Sequence, residues 1–181
     1  MLELEHAIAS IQETDLIEAF ISGTPSKSIS KVVNGLLRER LVELGWRAES
    51  AIFQDANYED RRWRLDFAKG PISVEIAFNH GEAIAWNLLK PVLASQLNHV
   101  NKAIQTEVGV VICATDSMKT AGNFDNAVGE YEKFVRYFKP LQNVLSAPIL
   151  LVGLEAPRTF HVVSRKEGNR SIGTIEMFEN L

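Results

Sequence analysis

The chain has 181 residues, 46% hydrophobic and 23% charged, a globular composition at a length that suits one domain. Its formal net charge of −4 argues against a small, histone-like, non-specific nucleic-acid binder, which would be basic. A single cysteine, Cys113, excludes an internal disulfide framework and a cysteine-based zinc site, and it reads as a buried structural thiol in the apolar run VGVVICA.

The start MLELEHAIAS has neither the basic region nor the apolar stretch of a signal peptide. No run approaches the roughly 18 apolar residues of a membrane span. The expectation is a cytoplasmic protein. Residues 4–20 place Ile8, Ile11, Leu16, Ile17 and Phe20 on one helical stripe. A polar loop, SGTPSKS, follows, and Ser28 or Ser30 can cap the next helix. That helix, ISKVVNGLLRERLVELGW, aligns Ile29, Val33, Leu36, Leu37, Leu41 and Leu44, with Gly45 as its stop. Arg40 falls on the apolar face, either snorkelling or reaching a carboxylate or a phosphate.

WRAESAIF reads as a strand and DANYEDRR as a polar connection. Two strands then flank Gly70-Pro71 in WRLDFAKGPISVEIAFNH. HGEAIAWNLLK and PVLASQLNHVNKAI read as helix, with Pro91 at a first turn or a kink. EVGVVICAT is a buried strand, DSMKTAGNFDNA a long polar loop, and VGEYEKFVRYFKPLQNVL one helix or two. APILLVGLE is another buried strand, TFHVVSR an edge strand, and the tail from Glu167 has no clear pattern. The order predicts a mixed α/β sheet, an antiparallel meander first and crossover helices later.

Within the meander, period 2 puts Asp66 and Glu75 on the less apolar faces of their strands. With Gly70-Pro71 at the tip, Leu65 faces Ile76 and Phe67 faces Val74, so Asp66 opposes Glu75. Opposed Cβ atoms lie about 5 Å apart, and two like charges there need neutralising. A divalent cation fits, held by one or two carboxylates and water. Ion pairs with Arg40, Arg62 or Arg64, or a solvated face, are the alternatives.

The Asp66-x8-Glu75 pair within this order of elements resembles the core of the PD-(D/E)XK nucleases over roughly residues 28–115. VEIAFNHGEAIAWNLLKPVLAS, IQTEVGVVICATDSMKTAGNFDNAVGEYEKF and PILLVGL extend the likeness, over most of the chain, to the BglII/BstYI restriction endonuclease family. The resemblance implies one restriction-endonuclease-like domain across residues 1–181. It implies a type II endonuclease that hydrolyses a specific double-stranded DNA site with Mg2+, Mn2+ being a possible substitute. Asp66, Glu75 and the Ile76 carbonyl would hold the metal, with Glu43 as a candidate third carboxylate from the first long helix.

Ala77 departs from the pattern, which places a lysine, or in this family a glutamine or glutamate, two residues after the glutamate. Lys69, Asn79, His80 and Lys90 are the nearest substitutes in sequence, Asn79 and His80 being the catalytic candidates. Lys119, Asn123 and Asn126 in the polar loop, Asn98 and Lys102 before it, and Lys27 in the first loop are the DNA-contact candidates. A palindromic site would favour a twofold dimer. The alternatives are a catalytically weakened DNA-binding protein of the same fold, or a non-nuclease α/β protein whose two acids are salt-bridged.

Overall fold

A computed structural model, describing residues 2–96, 99–168 and 170–178, turns these patterns into a mixed α/β fold. The helix expected over residues 4–20 divides into α1 (Leu2–Ala9) and α2 (Glu13–Ser22). Ser10 Oγ donates to the Ala7 carbonyl at 2.9 Å, ending the first. The Gln12 N–H donates to Asp15 Oδ2 at 3.0 Å, half of a reciprocal cap that starts the second.

Helix α3 (Ser30–Glu43) buries Val33, Leu37 and Leu41. Ile29 occupies its cap position without a side-chain cap bond, while Ser28 Oγ accepts the N–H of Ser30, the first helical residue, at 3.4 Å. Gly45 ends it as expected, with a φ of 81° that suits glycine. Leu41 is fully buried, so truncation to alanine would cost about 2–5 kcal/mol.

Strands β1 (Arg47–Ala51), β2 (Arg64–Lys69) and β3 (Ile72–Ile76) form the antiparallel meander. Helix α4 (Ile84–Ser95) crosses to β4 (Val108–Ala114), and α5 (Asp116–Ala121) and α6 (Tyr131–Leu141) lead to β5 (Ile149–Leu154). Helix α4 is shorter than its pattern suggested: Gln96 is already extended, and Phe53 and Lys102 form a backbone bridge. The polar loop after β4 opens with α5, started by Thr115 Oγ1, which accepts the Met118 N–H at 3.2 Å.

The sheet has five strands in the order β1-β2-β3-β4-β5, with β3, β4 and β5 parallel. Helices cover both faces, which is why β4 is apolar throughout. Val110, Ile112 and Ala114 pack with Leu4, Leu16, Val33, Leu37 and Leu41 of α1–α3. Val111 and Cys113 pack with Ile84 and Leu88 of α4 and Phe134 of α6. Gly109 lets α4 approach, since a Cβ there would lie 2.4 Å from Pro91 Cβ. Burial pushes the Cys113 thiol up to about 12, which fits an inert core residue.

TFHVVSR is not an edge of this sheet. It begins β6 (Phe160–Glu167), which pairs only with β7 (Arg170–Met177) in a separate two-stranded sheet. Gly173 of β7 docks on the first polar loop, where its N–H donates to the Ser26 carbonyl at 2.9 Å. Among the described residues no helix is long and apolar enough to cross a membrane.

Candidate functional site

The predicted register is correct over part of its length: Phe67 pairs with Val74, Ala68 with Ser73 and Lys69 with Ile72. Beyond Phe67 the strict alternation fails. Leu65 packs with Ile52, Phe53 and Ala94, while Phe67 joins Val74 and Ile76 in the other cluster. The break falls at Asp66, level with Glu49 of β1, whose φ of 50° interrupts that strand as well. A non-glycine residue held at positive φ stores strain that its surroundings must offset.

At this break a side chain takes over from the backbone ladder. Asp66 Oδ2 accepts the Ile76 N–H at 2.7 Å. Burial raises the Asp66 carboxyl above its ordinary range, with Glu49 pushing the same way and Lys90 and the Ile76 N–H opposing. Asp66 lines a cleft of about 230 Å3 with Asn34 and Arg38 of α3, Glu49, and Asn79 just past β3.

Glu75 meets Lys90 of α4, lies close to Asp66 and is 1% exposed. Burial raises its carboxyl well above the ordinary range and the Asp66 charge adds to this, while Lys90 and the backbone N–H of Asp66 oppose it. Lys90 of α4, itself buried, forms an ion pair with Glu75 Oε2 and donates to the Arg64 carbonyl at 3.2 Å. Glu75 Oε1 is buried and has no hydrogen-bond partner among the described residues. A buried and a half-buried acid thus lie near one lysine, and one oxygen of the buried acid is unsatisfied.

The donor set suits a hard divalent cation of the Mg2+ kind, which takes one or two carboxylates and keeps several waters. Among the described residues no group of three or more His, Cys, Asp or Glu side chains is gathered for a metal. A cation here would therefore rely on Asp66 and Glu75 with main-chain and water oxygens.

The other expected site residues separate into groups. Asn79 shares the cleft with Asp66. His80 is exposed and forms a backbone bridge with Val128, apart from the cleft lining. Glu43 does not reach the cleft; it is exposed and pairs with Arg40 at 3.7 Å. Arg40 also lies 3.8 Å from Asp15, so its place on the apolar face serves α2–α3 contact.

Several DNA-contact candidates are engaged inside the protein. Lys119 Nζ donates to the Asn126 carbonyl at 2.9 Å and to Glu130 Oε2 at 3.2 Å. Asn123, with a φ of 52°, donates from Nδ2 to the Lys27 carbonyl at 2.7 Å, locking the two polar loops together. Lys102 lies over the Phe53 ring at 5.0 Å, and burial lowers its ammonium below the ordinary lysine range. Asn126 is exposed. Asn98 lies outside the described residues. Lys27 is exposed on a cleft of about 610 Å3, which it shares with Lys31 and Arg170 of the hairpin.

Asn34, Arg38 and Glu49 were not anticipated. Asn34 and Arg38 are four apart on α3 and off its apolar stripe, a spacing that put them on one polar helix face. Nothing local marked Glu49.

A family model described as restriction endonuclease BglII/BglIII matches residues 2–154. No curated protein sequence matches the chain. A solved structure described as the crystal structure of restriction endonuclease BglII complexed with a DNA 16-mer is similar, with a TM-score of 0.61 and 19% identity over 96% of each chain.

Proposed function

Because the chain belongs to the BglII/BglIII restriction endonuclease family, we propose that it is a Mg2+-dependent type II deoxyribonuclease that cuts a specific double-stranded DNA site as a homodimer. The observation that carries this reading is the Asp66–Glu75 pair, short of positive charge and holding an unpartnered Oε1. A structure similar in fold is described as a DNA complex, which supports DNA as the ligand class.

In this reading Asp66, Glu75 and the Ile76 carbonyl hold the cation. A divalent ion so bound supplies charge for a phosphate oxygen and lowers the pKa of water. The chain's own groups do the rest. Asn79 and Arg38, both on the cleft, orient and bind the phosphodiester. Water oxygen bonds to phosphorus, the bond to the 3′ oxygen breaks, and that oxygen takes up a proton, leaving a 3′-hydroxyl and a 5′-phosphate. Lys27, Lys31 and Arg170, which line one cleft, would contact backbone phosphates.

A second reading is a DNA-binding protein of the same fold with weakened catalysis. Ala77 favours it: its methyl is 1% exposed and packs against Ile84 and Leu88, so this position supplies no polar group. The test incubates purified protein with plasmids of varied sequence in Mg2+, Mn2+ or EDTA. Discrete metal-dependent fragments, lost in Asp66→Ala, support the nuclease. Specific gel shifts without cleavage favour the second reading, and the absence of both cleavage and specific shifts would overturn both readings.

A further inference from the structure

Position 77 follows Glu75 by two residues, and both side chains face α4: Ala77 packs against Ile84 and Leu88, and Glu75 meets Lys90. A long polar side chain at 77 would have to enter the space that these α4 residues fill. Helix α4 brings a lysine to the same face from the other direction. The Lys90 stem is buried, and its ammonium is fixed at two points, Glu75 Oε2 and the Arg64 carbonyl on β2. Those two contacts tie α4 across the place where β2 and β3 part.

The two Glu75 oxygens have different surroundings. Oε2 is taken by Lys90, while Oε1 is left open and buried. A buried ion pair alone is weak grounds for stability, because removing charges from water costs nearly what pairing returns. A pair that leaves one acid oxygen unsatisfied, beside a second acid, is poorer still. Its geometry makes sense if the open oxygen is kept for a cation and the lysine holds the carboxylate in the orientation that presents it.

We propose that Lys90 is a positioning residue of the metal site, delivered from α4 in place of a group at position 77: by holding Glu75 Oε2 it presents Oε1, with Asp66, to a divalent cation. This rests on the nuclease reading for its biological purpose, but it makes a claim about metal binding that can be measured without DNA. The competing account has Lys90 as a counter-ion standing where the cation would go. The two accounts predict opposite signs. A positioning lysine strengthens cation binding, whereas a competing counter-ion weakens it.

The experiment titrates Mn2+ into the purified full chain by calorimetry, comparing the parent with Lys90→Met and Lys90→Arg. Methionine keeps much of the stem's volume, and thermal melting reports that each variant is folded. Losing a partner that orients a metal ligand costs roughly 10–100-fold in affinity. The expected result is that loss in Lys90→Met, with Lys90→Arg recovering most of it. Unchanged or tighter Mn2+ binding in folded Lys90→Met overturns the proposal. If Lys90→Met does not fold, Lys90→Arg decides: near-parental Mn2+ affinity supports the proposal, and tighter binding or none overturns it. Plasmid cleavage by the parent separates the two claims. A parent that cuts DNA while Lys90→Met binds Mn2+ as well as it does defeats this inference alone. A parent with the Lys90-dependent Mn2+ site that neither cuts nor shifts DNA defeats the nuclease reading alone.

Discussion

Two ionic clusters, each built on a buried glutamate, use the same residue types and come out with opposite characters. At the end of the polar loop, Glu130 is paired with both Lys119 at 3.2 Å and Lys133 at 3.0 Å. Burial pushes its carboxyl up, but the hydrogen bonds from Lys133 and Lys119 outweigh that and hold it below the ordinary range. Where β2 and β3 part, Asp66 and Glu75 share Lys90, and both carboxyls are raised. One acid with two lysines is a satisfied strut. Two acids with one lysine are short of positive charge, and that shortage is what a cation would relieve. Residue type therefore does not separate the two clusters; the local ratio of charge does.

The largest effect that would sharpen this contrast is on catalysis. Asp66→Ala is expected to lower Mg2+-dependent plasmid cleavage by at least about 1000-fold, while a gel shift still detects specific DNA binding. Cleavage that survives this change would mean that the deficient cluster is not the site.

Next is Lys119→Met, which removes half of the strut. Breaking a buried pair should cost about 2 kcal/mol, partly spared because Lys133 remains. A fall of several degrees in melting temperature is expected, with the cleavage rate of folded protein little changed. Loss of specific DNA binding without any loss of stability would break the comparison, returning Lys119 to DNA contact.

A smaller effect concerns pH in metal-free protein. Both acids of the deficient cluster bind protons more readily when folded than when unfolded. Their contribution to stability therefore grows as pH falls through the raised values, and levels off below the ordinary carboxylate range. Asp66→Asn leaves the Glu75–Lys90 pair balanced. In EDTA at neutral pH it should raise the melting temperature by a few degrees and flatten that pH dependence. Mg2+ should raise the melting temperature of the parent and not of this variant.

The smallest effect tests how the polar loop is held. Asn123→Ala meets a φ of 52° and loses the bond to the Lys27 carbonyl, at a cost of about 1 kcal/mol. Asn123→Gly should cost less, because it tolerates that backbone. Chemical denaturation of the two variants makes the comparison.

The sequence carried the main sheet well. The apolar VGVVICA run, the Gly70-Pro71 turn and the alternating residues of β3 are each consequences of local periodicity, and the meander followed by crossover helices was read from them. The Phe67–Val74 register could also be read, because a slip there would have exposed apolar side chains. The tail was not legible. Strands β6 and β7 mix apolar, polar and charged positions because Phe160, Val162 and Ile175 pack on the main core and Gly173 on the first loop, while β6 from Ser164 onward is exposed.

Asp66 and Glu75 were legible as a pair from the expected register, although the ladder stops at Phe67–Val74, before the level at which they would oppose one another. What the tertiary structure decided was how each is held. Asp66 lines the cleft beside Glu49 because both strands lose their alternation at one level, an irregularity that no periodicity reports. Lys90 meets Glu75 across 15 residues of chain because α4 crosses the sheet, guided by the close fit of Pro91 on Gly109. Lys119 and Asn123 are exposed polar residues by composition and internal ties by geometry. Local patterns specify strands and helices because backbone sterics and apolar burial act between near neighbours. Which acid meets which lysine depends on how whole elements pack, and only the folded chain determines that.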